Sequence, residues 1–266
     1  MKAPLAGRVA LVTGAGDGVG RGVAMRLAAD GVKVVVAEID ESSGRSAARE
    51  IKERFGGRAR FVRTDVSDRG EVEAAVAAAL DAWGRLDILV NNAWGSADVG
   101  GVEEKTDGQL SRAFDVGFHG PLWAMQAAFP SMRARGWGRV VNMCSLSGID
   151  AHRGTLEYNA AKEALRTLTR TAAREWAATG VVVNAVCPAA HSAAFRRAAS
   201  VRPHTAREAE AANPMGRLGD PEDDVAPVVA FLAGEGCRYL TGNTLFVDGG
   251  AHINGVAWGP EPEGAD

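Results

Sequence analysis

Residues 8–22, "RVALVTGAGDGVGRG", decide how the rest of the chain is read. A short β-branched run breaks into a cluster of glycines, and a helical pattern carried by Val19, Val23 and Leu27 opens directly behind it. The glycines do not spell G-x-G-x-x-G; they spell T-G-x-x-x-G-x-G, with Thr13, Gly14, Gly18 and Gly20. The physical consequence is the same. Without side chains the backbone can turn tightly and approach an anionic group, while the first turn of the helix offers free N–H groups and a partial positive charge. A strand, a glycine loop and a helix in that order therefore predict a seat for a pyrophosphate, formed by Gly14, Asp17, Gly18, Val19 and Gly20.

Moving outward, the runs "VKVVVAE", "ARFVRTDV", "LDILVNNA", "GRVVNMCS", "VVVNAVCP" and "TLFVDGG" repeat the apolar, β-branched character of the first strand. Consecutive apolar residues suit strands covered on both faces, as in a parallel sheet. Helical patterns lie between them: an alanine-rich segment from Glu71 to Trp83, a long one from Leu110 to Arg135, and the segment around Tyr158. Strand alternating with helix means βαβ units and a layered α/β fold. No linker, repeat or composition break divides the chain, so one domain is expected over residues 1–254. Residues 189–213, "AAHSAAFRRAASVRPHTAREAEAAN", interrupt the alternation with a polar and basic insertion of the kind that forms lids. Residues 255–266 are rich in Gly, Pro and acid and are expected to hang loosely as a tail.

The second strand ends "VVVAEID", placing Glu38 and Ile39 about 20 residues beyond the glycines, where a dinucleotide fold holds the adenosine ribose. A carboxylate accepts from ribose hydroxyls and repels a 2′-phosphate, so NAD is favoured over NADP. Asp17 agrees, because it stands where a basic residue would be expected if a phosphate had to be neutralised.

Composition narrows the partners. The 266 residues are 46% hydrophobic and 24% charged, with a formal net charge of -3. That balance gives no electrostatic reason for nucleic acid or an anionic membrane, so a small solute is the expected ligand. The three cysteines are widely spaced and match neither a metal-ligand pattern nor a disulfide framework, which points to a reducing, cytoplasmic setting. The N-terminus lacks a signal-peptide core, and no apolar run approaches the ~18 residues of a membrane span.

The run "LEYNAAKEALRTLTR", residues 156–170, poses a chemical question. Tyr158 and Lys162 stand one turn apart, so phenol and ammonium share a helix face. Taken alone, an interfacial aromatic beside a solvated lysine is the commoner explanation. Behind a dinucleotide loop, the pair points instead to a phenol whose proton affinity an ammonium adjusts.

From about Gly7 to Gly250 the ordered motifs resemble the short-chain dehydrogenase/reductase family, in its single-domain branch. "TGAGDGVG" is similar to the cofactor loop. "TDVSD" resembles the segment whose Asp65 and Val66 flank the adenine, and "NNAW", with Asn92 and Ala93, resembles N-N-A-G with Trp94 in place of the glycine. "YNAAK" matches Y-x-x-x-K, with Ser145 thirteen residues before Tyr158. The resemblance implies a Rossmann-type doubly wound parallel sheet of about seven strands with helices on both faces. It implies hydride transfer between NAD and a secondary alcohol or ketone, Tyr158 serving as general acid/base. Lys162 would lower the tyrosine's pKa and bond the nicotinamide ribose, and Ser145 would hold the reacting oxygen. Pro188 and a neighbouring donor, His191 or Ser192, would hold the carboxamide. A homo-tetramer is implied as well.

Four positions depart from the family pattern: Trp94, Gly117 in place of an asparagine of the long fourth helix, Ala189 in place of a glycine, and Ala193 in place of a threonine. They leave room for an alternative, a catalytically impaired nucleotide-binding or scaffolding protein. A nucleotide-sugar epimerase would normally require a longer C-terminal substrate region.

Overall fold

The computed structural model describes residues 5–95, 98–201 and 203–253. Among these residues, seven parallel strands form one sheet in the order β3-β2-β1-β4-β5-β6-β7. In chain order they are β1 (Val9–Thr13), β2 (Lys33–Glu38), β3 (Ala59–Arg63), β4 (Ile88–Asn91), β5 (Gly138–Met143), β6 (Val181–Pro188) and β7 (Thr244–Val247). The order reverses at β1, which pairs with β2 on one side (Leu11 opposite Val35) and with β4 on the other (Leu11 opposite Leu89). In such a sheet the strand ends splay apart at the reversal and open a crevice for a ligand.

Alternation along each strand sends neighbouring side chains to opposite faces and so builds two cores. Ala10, Val12, Val34, Val36 and Ile88 face α1 (Gly18–Ala29), α2 (Glu41–Phe55) and, further along the sheet, α10 (Ala226–Leu232). Val9, Leu11, Val35 and Leu89 face α3 (Arg69–Trp83), α5 (Gly120–Ala134) and α7 (Leu156–Trp176). Each fully buried Val or Leu contributes roughly 1.5–3 kcal/mol relative to exposure, so both layers are needed to hold the crevice open at a fixed width. The helices start where the sequence supplies caps. Asp40 accepts from Ser43 N at 2.7 Å at the head of α2, and Asp68 accepts from Glu71 N at 3.0 Å at the head of α3.

Two elements differ from the sequence expectation. The long helix expected from Leu110 to Arg135 is α4 (Asp107–Phe114) and α5 joined by a wider π turn, Asp115–His119. Gly117, buried in the middle of that turn, offers no Cβ to resist the wider winding. The insertion at 189–213 is largely helical, as α8 (Ala193–Val201) and α9 (Pro203–Ala211). A short α6 (Leu146–Ile149) follows β5. The expected tail, 255–266, lies outside the described residues. No described helix is long and apolar enough to cross a membrane.

Candidate active site

A cleft of about 1140 Å³ opens at the carboxyl ends of the strands, beside the reversal at β1. Its first wall is the glycine loop. The Asp17 carboxylate accepts from Gly18 N at 2.7 Å and starts α1 facing the cleft. Gly14 and Gly18 take left-handed φ of +62° and +56°, and an added Cβ would lie 2.9 Å from Ala93 Cα and 2.8 Å from Ala193 N respectively. Only glycine meets both requirements at once. Gly20 serves differently from expectation: it does not line the cleft, and its bare Cα lets the loop fold onto Gly14 O, which a Cβ would reach at 2.1 Å. The loop is tied to β4. Thr13 Oγ1 accepts from Asn92 N at 2.9 Å and Ala93 N at 3.1 Å, while Asn92 Nδ2 donates to Thr13 O at 2.9 Å and Gly14 O at 3.1 Å. Thr13 was visible in the motif, but its role in stitching two loops together is a non-local contact that spacing cannot show.

At the far end Glu38, Ile39, Asp65 and Val66 line the cleft together, as expected. Glu38 Oε2 accepts from Gly16 N at 3.0 Å, and its Oε1 accepts from Ile39 N at 2.9 Å. Asp65 Oδ1 accepts from Ser67 N at 2.9 Å. Asp40, Ser43, Thr64 and Arg21 line the same end and were not anticipated. Arg21 is ion-paired with Glu50, so its charge is already partnered.

At the near end Tyr158 and Lys162 enter the cleft from one face of α7, beside Val19, Asn92, Ala93 and Pro188. The Ser145 hydroxyl accepts from Ser147 N at 3.2 Å and sits near enough to the Tyr158 phenol to favour its ionised form, although Ser145 is not among the residues lining the cleft. The Lys162 ammonium is buried and donates to Met143 O at 2.8 Å. On balance the phenol is not depressed: burial pushes Tyr158 up, and Ser145 pulls it only partly back. Burial likewise pushes Lys162 down. Both follow from removing a charged form from water. Cys144 also borders the cleft, but burial pushes its thiol up to about 12, which suits a packed strand residue better than a nucleophile.

The structure corrects the expectation for His191. It does not line the cleft and lies 3.5 Å from Glu210 on α9, edge-on to Phe195. Ser192 and Ala193 line the cleft in its place. The insertion also crosses the glycine loop, where Arg196 on α8 ion-pairs with Asp17. Trp94 lines the cleft, whereas Leu146, Phe195 and Met215 do not, and Met215 is 71% exposed.

Residues 14–252 match the family model described as enoyl-(acyl carrier protein) reductase. The chain is 36% identical over 246 residues to 2,5-dichloro-2,5-cyclohexadiene-1,4-diol dehydrogenase of Sphingobium indicum, covering 92% of this chain and 96% of the relative. It is 34% identical over 254 residues to the (S)-acetoin-forming diacetyl reductase of Staphylococcus epidermidis, covering 91% and 98%. The crystal structure of levodione reductase superposes with a TM-score of 0.90 at 30% identity, covering 94% of this chain and 99% of that one.

Proposed function

Because this chain belongs to the short-chain dehydrogenase/reductase family of oxidoreductases, we propose that it interconverts a neutral secondary alcohol and its ketone with NAD, Tyr158 serving as general acid/base. The observation that carries this reading is convergence: the Tyr158 phenol, with Ser145 beside it, and the Lys162 side chain stand at one end of a cleft whose other end is a bare glycine cradle and a carboxylate.

The residues present fit a dinucleotide. Gly14, Asp17, Gly18 and Val19 leave backbone and a helix N-terminus for the pyrophosphate, Glu38 and Ile39 take the adenosine ribose, Asp65 and Val66 the adenine, and Asn92, Ala93, Pro188 and Ser192 the nicotinamide half. Glu38 and Asp40 are the carboxylates at the ribose end, and Arg21 there is held by Glu50, which supports NAD against its 2′-phosphorylated form. NAD, when bound, supplies the carbon that accepts or returns the hydride.

The protein side of the chemistry follows. In the oxidation direction the Tyr158 phenolate removes the hydroxyl proton of the alcohol, and Ser145 donates to the oxygen as its charge grows. A charged Lys162 favours the phenolate, against the burial that opposes it. In reduction the neutral phenol gives the proton back. Lys162 is the one charged side chain among the described residues that line this end, which also carries Trp94, Gly95, Val116 and Cys144, so a neutral substrate is favoured over a carboxylate or phosphate.

Family membership further supports one domain through residue 254, a homo-tetramer and a cytoplasmic setting. Purified protein given NAD and a panel of neutral secondary alcohols is expected to form NADH, followed by absorbance. Tight NADH binding with no turnover on any alcohol or ketone would defeat the reading in favour of a nucleotide-binding scaffold.

A further inference from the structure

Trp94 and Gly117 are 23 positions apart in the sequence and in contact in the fold. An added Cβ at Gly117 would lie 2.7 Å from Trp94 Cζ3 and 3.0 Å from the Ala161 Cβ on α7. A Cβ contact under 3 Å forces a shift, and here the indole is a rigid plane pressed against a helix, so glycine in the π turn is what admits it. Seated there, the ring meets Tyr158 edge-on, with centroids 4.7 Å apart and planes at 67°. The Lys162 Nζ lies 5.1 Å from the indole centroid. Those separations fall within the ranges of an edge-to-face aromatic pair and a cation–π contact.

The surroundings of Lys162 give the ring a task. The ammonium is 4% exposed and donates one hydrogen bond, to Met143 O. The titratable groups facing it and Tyr158 are the thiols of Cys144 at the end of β5 and Cys187 on β6. Burial pushes both up to about 12, so neither supplies a negative charge. On the π turn, Asp115 and His119 pair with each other at 3.1 Å in a part-exposed position. Further along α7, Glu163 is ion-paired with Arg166. The quadrupole of an indole face favours a cation without itself titrating.

We infer that Trp94 is a positioning residue for the reaction: seated on Gly117, its indole braces the Tyr158 ring and keeps the buried Lys162 ammonium charged, an assignment that rests on the proposed hydride-transfer chemistry. A leucine at 94 would still fill apolar space but would present no π face. Lys162 would then be charged less readily, the Tyr158 phenolate would lose support, and the pH limb of alcohol oxidation would move up.

The test is a set of pH–kcat profiles for alcohol oxidation. Trp94→Leu is expected to shift the limb upward by about one pH unit, roughly a tenfold loss at fixed pH below it. Trp94→Phe, which keeps a π face, should recover most of the shift. Gly117→Ala should imitate Trp94→Leu by displacing the indole, and Gly117→Ala with Trp94→Phe should be better than Gly117→Ala alone because the smaller ring vacates the crowded position. Should Gly117→Ala fail to fold, the two Trp94 variants decide. A limb that stays in place in Trp94→Leu, or moves equally in Trp94→Phe, overturns the role of the ring while Tyr158→Phe remains inactive. If Tyr158→Phe itself turns over, the hydride-transfer reading beneath the inference fails instead.

Discussion

Removing Lys105 should damage the protein far more than removing an ordinary surface lysine. Its ammonium lies 2.8 Å from Glu157 Oε2, and the two side chains are 3% and 4% exposed. The same ammonium donates to Asp98 O, and Glu157 Oε1 accepts from Asp98 N at 3.0 Å. Gly100 N donates to Gly154 O at 3.0 Å nearby, so the segment after β4 is pinned to the head of α7, one residue before Tyr158. Lys105→Met strands the carboxylate in a dry site, and breaking a buried pair from one side costs about 3–5 kcal/mol. Removing both partners, as Lys105→Met with Glu157→Leu, should return most of that loss, because no uncompensated charge remains. Urea unfolding at fixed protein concentration measures both, with an unchanged slope showing that the same transition is compared. A single variant that loses less than about 1 kcal/mol, the worth of an exposed pair, would refute the buried-pair reasoning.

Two further outcomes follow from the cleft. Glu38→Ala removes the carboxylate that a 2′-phosphate would meet, and the ratio of kcat/KM for NAD over NADP should fall by about 100-fold, as a like-charge term of several kcal/mol allows; an unchanged ratio would show that selectivity lies elsewhere. Burial holds the Tyr158 phenol above its ordinary value, so the phenolate needed for oxidation gains as pH rises and the phenol needed for reduction is lost. Alcohol oxidation should therefore climb with pH while ketone reduction declines, and parallel profiles in the two directions would contradict that assignment.

What the sequence made legible was periodic or contiguous. Strands covered on both faces appear as unbroken β-branched runs, and the loop at Gly14–Gly20 has a shape that only glycine permits, so sheet, crevice and the Tyr158–Lys162 face of α7 could be placed in advance. What stayed hidden was non-local or side-chain specific. Trp94 and Gly117 looked like two separate departures, although Gly117 leaves the space that Trp94 fills. His191 was a plausible neighbour of Pro188, but it lies beside Glu210 on α9 and does not line the cleft. Thr13 gave no sign of its two bonds across to Asn92 and Ala93. The direction of the Tyr158 shift depends on how deeply the phenol is buried, which an i, i+4 spacing cannot convey.

Stopped turnover with intact cofactor binding in Tyr158→Phe is the most direct test of proton transfer by this phenol. NADH affinity, read by fluorescence, should stay within about twofold, whereas kcat should fall by at least about 10²-fold, the lower end of what a positioned acid/base contributes. Oxidation of the alcohol at an undiminished rate by Tyr158→Phe would contradict it.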